Sequence, residues 1–204
     1  MSSITYHIYS SVAIDDLYSQ LGKYSNSNIG IACLYADYKD QSNQTLVHIL
    51  GSFLHQLLTN ALPPIPDEVM QKLQDIRSQG RKLGIDDILA LLRTRLHQLN
   101  RIFICIDAVD ELEPEVLQQL LNVLKGLVTN NNIRIFLTGR GHIEGEVRRY
   151  LQVVERCKVT ISASQQDIQE FVKQKITSDV NPDAMDDVLA KEIEDAIIEK
   201  SQGM

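Results

Sequence analysis

The sequence predicts an α/β fold in which a mainly parallel sheet is sandwiched by helices. Unbroken apolar runs such as 102–106 are typical of strands that are buried on both faces. Segments with apolar residues at helical spacing separate these runs, most regularly between Leu46 and Leu58. Strands joined through helices take right-handed crossovers, which make neighbouring strands parallel.

Apolar spacing defines the elements of the first half of the chain. The first predicted helix ends near Gly22. The helix predicted at 46–58 has apolar residues that recur at i, i+3 and i+4 throughout, and a proline cluster (Pro63, Pro64 and Pro66) ends it. The predicted elements are a helix at about 10–21, a strand at 29–35, and helices at 46–58, 67–78 and 85–99.

The second half of the chain continues the alternation. An Asn181-Pro182 break precedes the last helix, whose acidic residues suggest a solvated face. The predicted elements are a strand at 102–106, a helix at 117–127, strands at 133–138 and 159–162, and helices at 168–176 and about 183–201.

Composition excludes several classes of function. The net charge is −7 and no basic run is present, so nucleic acid is not expected as a partner. No apolar stretch approaches a membrane span and the first residues lack a secretory signal, so we expect a cytoplasmic protein without a membrane partner. Cys33, Cys105 and Cys157 are far apart in sequence, which favours reduced core thiols over a disulfide or zinc framework.

An acidic cluster follows the strand at 102–106. Asp107, Asp110 and Glu111 would lie at the carboxyl end of that strand, where α/β folds bind ligands. Three carboxylates repel one another unless a cation lies among them, as on the metal side of a Mg-nucleotide site. The alternative is a solvated turn before the next helix, with Pro114 in its first turn.

A second polar signal is Arg140, which follows the predicted strand at 133–138. Parallel strands end at one edge of the sheet, so Arg140 is expected on the same rim as the acidic cluster. Its guanidinium could face an anion such as a terminal phosphate. The alternative is a structural ion pair with Asp107 or Glu111.

Four stretches of the chain resemble the NACHT domain, a branch of the signalling (STAND-type) P-loop NTPases, in the nephrocystin-like N-terminal form found in filamentous fungi. The stretch at 103–111 resembles its Walker B segment, and 134–140 resembles its sensor strand. Relatives usually have Ser and Pro where this chain has Gly139 and Gly141, so a looser turn is expected around Arg140. The other two stretches, which resemble the second strand and the last core strand with their helices, are 34–58 and 158–172.

The resemblance implies roles for five residues. Asp107 would hold Mg²⁺, partly through water. Glu111, with Asp110 as the alternative, would act as the general base on the attacking water. Arg140, with Thr138 beside it, would contact the γ-phosphate of ATP. In this superfamily ATP favours an open, oligomerising form and ADP a closed one, so copies of this chain or complete NACHT relatives are the implied partners.

The chain departs from the family at the phosphate loop. The 204 residues contain no Gly-x-x-x-x-Gly-Lys-Ser/Thr, and their one Gly-Lys pair, Gly22-Lys23, is followed by Tyr24. We therefore expect a P-loop NTPase-like sheet that lacks the first central strand and the phosphate loop. The expected organisation is an irregular or replacement N-terminus at 1–9, an incomplete core at 10–180, and the start of a following helical segment at 181–204.

Two functional hypotheses follow. The first is an ATP/Mg switch core that binds nucleotide weakly and hydrolyses it weakly or not at all. Without the phosphate loop, the loss of three charge-assisted hydrogen bonds costs roughly 4.5 kcal/mol, or about three decades of affinity. The second is a non-catalytic module that oligomerises with complete relatives. Family resemblance implies hydrolysis, whereas the missing loop argues against activity of this chain.

Overall fold

The computed structural model contains two compact units, Met1–Val153 and Val154–Met204. Residues 16 and 19 are helical, whereas the rest of the helix predicted at 10–21 and all of the N-terminus at 1–9 lie outside the described residues. The structure describes residues 16, 19, 28–59, 64–128, 132–151, 158–160, 164–177 and 187–201.

Three parallel strands form a sheet among the described residues of the first unit. They are β1 (Ile29–Tyr35), β2 (Arg101–Asp107) and β3 (Ile133–Leu137), in the spatial order β1-β2-β3. Cys33 of β1 pairs in register with Cys105 of β2, which in turn pairs with Phe136 of β3. The parallel α/β sheet predicted from the apolar runs is confirmed.

Seven α-helices have their bounds given within the described part of the chain. Each predicted helix from residue 46 onward is present, and α1 and α2 agree with their predicted bounds to within one residue. In the first unit they are α1 (Leu46–Thr59), α2 (Asp67–Ser78), α3 (Ile85–Leu96), α4 (Pro114–Leu127) and α5 (Glu144–Leu151); in the second unit they are α6 (Gln165–Thr177) and α7 (Asp187–Ser201).

One face of the sheet forms the main core. Ile102, Ile104 and Ile106 of β2 are almost completely buried and belong to one apolar cluster with the inner faces of α1, α3 and α4. Burying each such side chain contributes about 1.5–3 kcal/mol. This face fixes the direction of β2 and therefore the position of the residues that follow Ile106.

The outer edge of β1 is covered by a side chain of α1. The Gln56 amide accepts a hydrogen bond from the Cys33 N–H and donates one to the Cys33 carbonyl, both at 2.8 Å. It replaces the contacts that a further strand would make at this residue, which protects an edge that could otherwise pair with another chain.

Two features differ from the sequence predictions. Helix α5 was not predicted, because Gly145 and a run of charged residues obscure the spacing of Ile143, Val147 and Leu151. The strand predicted at 159–162 is wrong over its described part: residues 158–160 form no strand, and Val159 is 81% exposed, so its apolar side chain lacks the burial that stabilises a strand. Residues 161–163 lie outside the described residues.

Within the described part of the chain, no helix combines the length and the apolar character needed to cross a membrane.

Candidate functional site at the carboxyl ends of β2 and β3

The chain reverses sharply after β2 at Ala108. This residue has φ 53° and lies in the left-handed region, which costs an L-residue about 1–2 kcal/mol. Its N–H donates to the Thr138 hydroxyl at 2.9 Å, and the next N–H, of Val109, donates to the Thr138 carbonyl at 2.9 Å. These bonds hold the strained turn against the end of β3.

Asp107 is the last residue of β2 and is 1% exposed. One of its carboxylate oxygens accepts a hydrogen bond from the Thr138 hydroxyl. Thr138 therefore donates to Asp107 and accepts from Ala108, so one side chain links the ends of two strands. The sequence placed both residues on this rim, and the structure brings them into direct contact.

Asp110, Glu111 and Arg140 form a second group beside this pair. Arg140 Nε lies 3.4 Å from Asp110 Oδ2, and Arg140 Nη2 lies 3.9 Å from Glu111 Oε1. The backbone N–H of Arg140 also donates to Asp110 Oδ1 at 3.1 Å. Both acidic side chains are nearly buried, whereas the Arg140 side chain is 54% exposed. The guanidinium thus lies over the acidic pair with one side open to solvent.

The loop after β1 also contacts this group. The Tyr38 N–H donates to Glu111 Oε2 at 3.2 Å, and the Gln41 side-chain amide donates to the Glu111 carbonyl at 2.8 Å. Sequence reasoning missed both contacts. Gln41 lies in a stretch that carries the family resemblance, but no spacing rule indicates that its amide reaches residue 111.

Gly139 allows the turn before Arg140 to approach the acidic cluster closely. A Cβ at this position would lie 2.9 Å from Ile143 Cδ1, 3.1 Å from Asp110 Oδ1 and 3.1 Å from Val109 Cγ1. Contrary to the expectation of a loose turn, Gly139 packs tightly. At Gly141 a Cβ would meet nothing within 4 Å, so the open side of the turn begins there.

The side-chain oxygen atoms of this site could supply only part of the ligand set of a hard cation. Asp107 and Thr138 offer oxygen atoms, the ligands that Mg²⁺ prefers, and this ion usually keeps several waters. Among the described residues, no three His, Cys, Asp or Glu side chains are grouped as a metal site. A Mg²⁺ ion held at Asp107 would therefore need to take most of its ligands from water and phosphate.

One family model, described as nephrocystin 3, N-terminal, matches residues 7–140. No curated protein matches the chain. The matched region includes all three strands, the acidic cluster and Arg140, at which it ends, and it covers more than half of the 204 residues. The chain belongs to the nephrocystin 3 N-terminal family.

Proposed function

We propose that this chain is the nucleotide-binding core of a NACHT-type signalling NTPase of the STAND class, of the kind found in fungi, and that it supplies the Mg²⁺ side of an ATP site. The observation that carries the proposal is the convergence of Asp107, Thr138, Asp110, Glu111 and Arg140 at the ends of two adjacent strands.

Each residue has a role that fits its surroundings. Asp107 would hold Mg²⁺, directly or through water, and Thr138 fixes its carboxylate by a hydrogen bond. A Mg²⁺ ion bound there would neutralise phosphate charge. Glu111 would accept the proton of an attacking water, with Asp110 as the alternative. The backbone bond from Tyr38 orients the Glu111 carboxylate.

Arg140 is the residue that would contact the terminal phosphate. Its ion pairs span 3.4 Å and 3.9 Å, and its side chain is half exposed. The exposed side of the guanidinium can form a charge-assisted hydrogen bond with a phosphate, worth roughly 1.5–3 kcal/mol, while its other side stays beside the nearly buried Asp110 and Glu111 carboxylates.

Binding by these 204 residues alone should be weak. The sequence holds no Gly-x-x-x-x-Gly-Lys-Ser/Thr, whose backbone N–H groups and lysine cradle phosphates in P-loop proteins. The loss of three such hydrogen bonds weakens binding by about 4.5 kcal/mol, which raises a micromolar dissociation constant into the millimolar range. We propose a switch that responds to nucleotide, with hydrolysis by this chain slow or absent.

The first test is a titration with a fluorescent ATP analogue, with and without Mg²⁺. We expect Mg-dependent binding in the millimolar range, reduced by Asp107→Asn and Arg140→Ala. Arg148→Ala is the matched control, because Arg148 pairs with Glu144 outside the site. Unchanged binding in Asp107→Asn and Arg140→Ala would contradict the assignment of the site. Micromolar affinity would contradict the predicted weakness.

The second candidate is a non-catalytic module that oligomerises with itself or with complete NACHT relatives. It is favoured by the acidic partners that Arg140 already has within the chain. In sedimentation velocity, such a module would associate as its concentration rises, equally with and without Mg-ATP and equally in Asp107→Asn. Association that requires Mg-ATP would favour the switch.

A further inference from the structure

Two of the three cysteines meet on the sheet. Cys33 of β1 and Cys105 of β2 are direct partners in the parallel register, so their side chains lie on the same side of the sheet. Adjacent strands are about 4.7–4.9 Å apart, within the roughly 4.4–6.8 Å that separates the Cα atoms of disulfide-bonded cysteines. Their separation in sequence conceals this proximity.

The two thiols differ in accessibility. Cys105 is 4% exposed, whereas Cys33 is half-buried. A hydrogen bond to Cys33 and burial both raise the pKa of the Cys105 thiol. Of the two, Cys33 is the residue more open to a reagent in solution.

We propose that Cys33 and Cys105 form a reversible oxidation site at which a hydroperoxide converts two thiols to an intramolecular disulfide. The Cys33 thiolate attacks the O–O bond of hydrogen peroxide, an S–O bond forms, and the leaving hydroxide takes a proton to become water. Cys105 sulfur then displaces the hydroxyl group from Cys33 and gives up its proton, releasing a second water. Two electrons from the sulfurs reduce one hydrogen peroxide to two waters.

The surroundings hold the two cysteines side by side. Both lie within paired strands, and Gln56 fixes the Cys33 backbone by two hydrogen bonds of 2.8 Å. This inference stands independently of the proposed nucleotide function.

The test uses the full chain with Cys157→Ser, which leaves only the proposed pair. After treatment with hydrogen peroxide, remaining thiols are alkylated under denaturing conditions and the protein is analysed by intact mass and peptide mapping. We expect a monomer that has lost two hydrogen masses, a peptide linking residues 33 and 105, and full return to the dithiol with dithiothreitol.

A second variant shows that the linkage needs both sulfurs. In Cys157→Ser with Cys105→Ala, we expect Cys33 to gain oxygen instead of losing hydrogen. Since Cys105 is buried, circular dichroism must first show that this variant folds; if it does not, the linked peptide in Cys157→Ser still decides. Oxygen added to Cys33 in Cys157→Ser without a linked peptide, or a disulfide between two chains, would overturn the proposal.

Discussion

At the scale of single residues, Arg95 is the most unusual buried group of the core. Its side chain is fully buried, and its guanidinium donates to the carbonyls of Leu57 at 3.0 Å and Pro64 at 3.1 Å and to the Gln98 side chain at 3.2 Å. Burial lowers the pKa of Arg95. Arg95 satisfies a carbonyl in the last turn of α1 and holds the segment that follows it.

Removing this guanidinium should destabilise the fold. In Arg95→Ala the carbonyls of Leu57 and Pro64 lose their donor, and an unsatisfied buried group costs about 1–3 kcal/mol. We expect the free energy of unfolding, measured by urea denaturation, to fall by about 2–4 kcal/mol. Arg93→Ala is the control, since Arg93 is exposed on the same helix and should change stability by about 0.5 kcal/mol or less. Equal effects of the two substitutions would contradict this role of Arg95.

Ala108 shows how a single conformation determines the site. The sequence indicates a small residue after Asp107, but alanine has no intrinsic preference for φ 53°. The hydrogen bonds from Ala108 and Val109 to Thr138 stabilise the turn. Strained backbone of this kind is often found at functional positions, which agrees with a role for the residues on either side.

At the scale of elements, the periodicity of apolar residues predicted the strands and helices whose apolar stripe is uninterrupted. The strand at 29–35 and the helix at 67–78 have the predicted bounds, and α1 differs by one residue. Helix α3 ends at Leu96, three residues before the predicted end, and α5 was missed. Leu99 is nonetheless buried, so apolar spacing indicated burial correctly beyond the point where the helix ends.

The amino end of α3 is stabilised by a charge. Asp87 accepts hydrogen bonds from the Arg81 guanidinium at 2.6 Å and from the Gly84 N–H at 3.2 Å. The bond from Arg81, followed by that from Gly84, lowers the pKa of Asp87. Because the folded-state pKa is lowered, this stabilisation is present above the unfolded value of about 3.9 and is lost as the pH falls through the folded value.

Asp87→Asn should therefore destabilise the protein in a pH-dependent way. We expect its urea midpoint to lie below that of the wild type at pH 7 and the difference to shrink as the pH falls below about 4. Asp86→Asn, an exposed change in the same helical turn, is the control. A difference that stays constant with pH, or one that Asp86→Asn reproduces, would show that the Asp87 charge is not responsible.

The contacts of the site were predictable only in part. Asp107 and Arg140 lie at one rim because parallel strands end on the same side of a sheet. The apolar runs in the sequence indicated where β2 and β3 end. The pairing of Arg140 with Asp110 as well as Glu111 depends on the conformation of two turns, which periodicity does not determine. The same holds for the contact of Gln41 with Glu111. The proximity of Cys33 and Cys105 depends on strand register.

At the scale of the whole molecule, the residues that stabilise the fold and the residues of the proposed site lie in different parts of the first unit. The apolar cluster fills one face of the sheet, whereas the polar residues collect where β2 and β3 end. The family match from 7 to 140 spans both parts. Such a division allows changes at the rim without loss of the core, so Asp107→Asn and Arg140→Ala are expected to remain folded.

The most direct measurement of the proposed site is a backbone amide NMR titration with Mg-ATP. We expect shifts concentrated at Ala108, Glu111, Thr138 and Arg140, present with Mg²⁺ and much weaker without it. Amides of helix α3, such as that of the buried Ile88, should not move. Shifts that are centred elsewhere, or that are the same with and without Mg²⁺, would contradict a Mg-nucleotide site at the ends of β2 and β3.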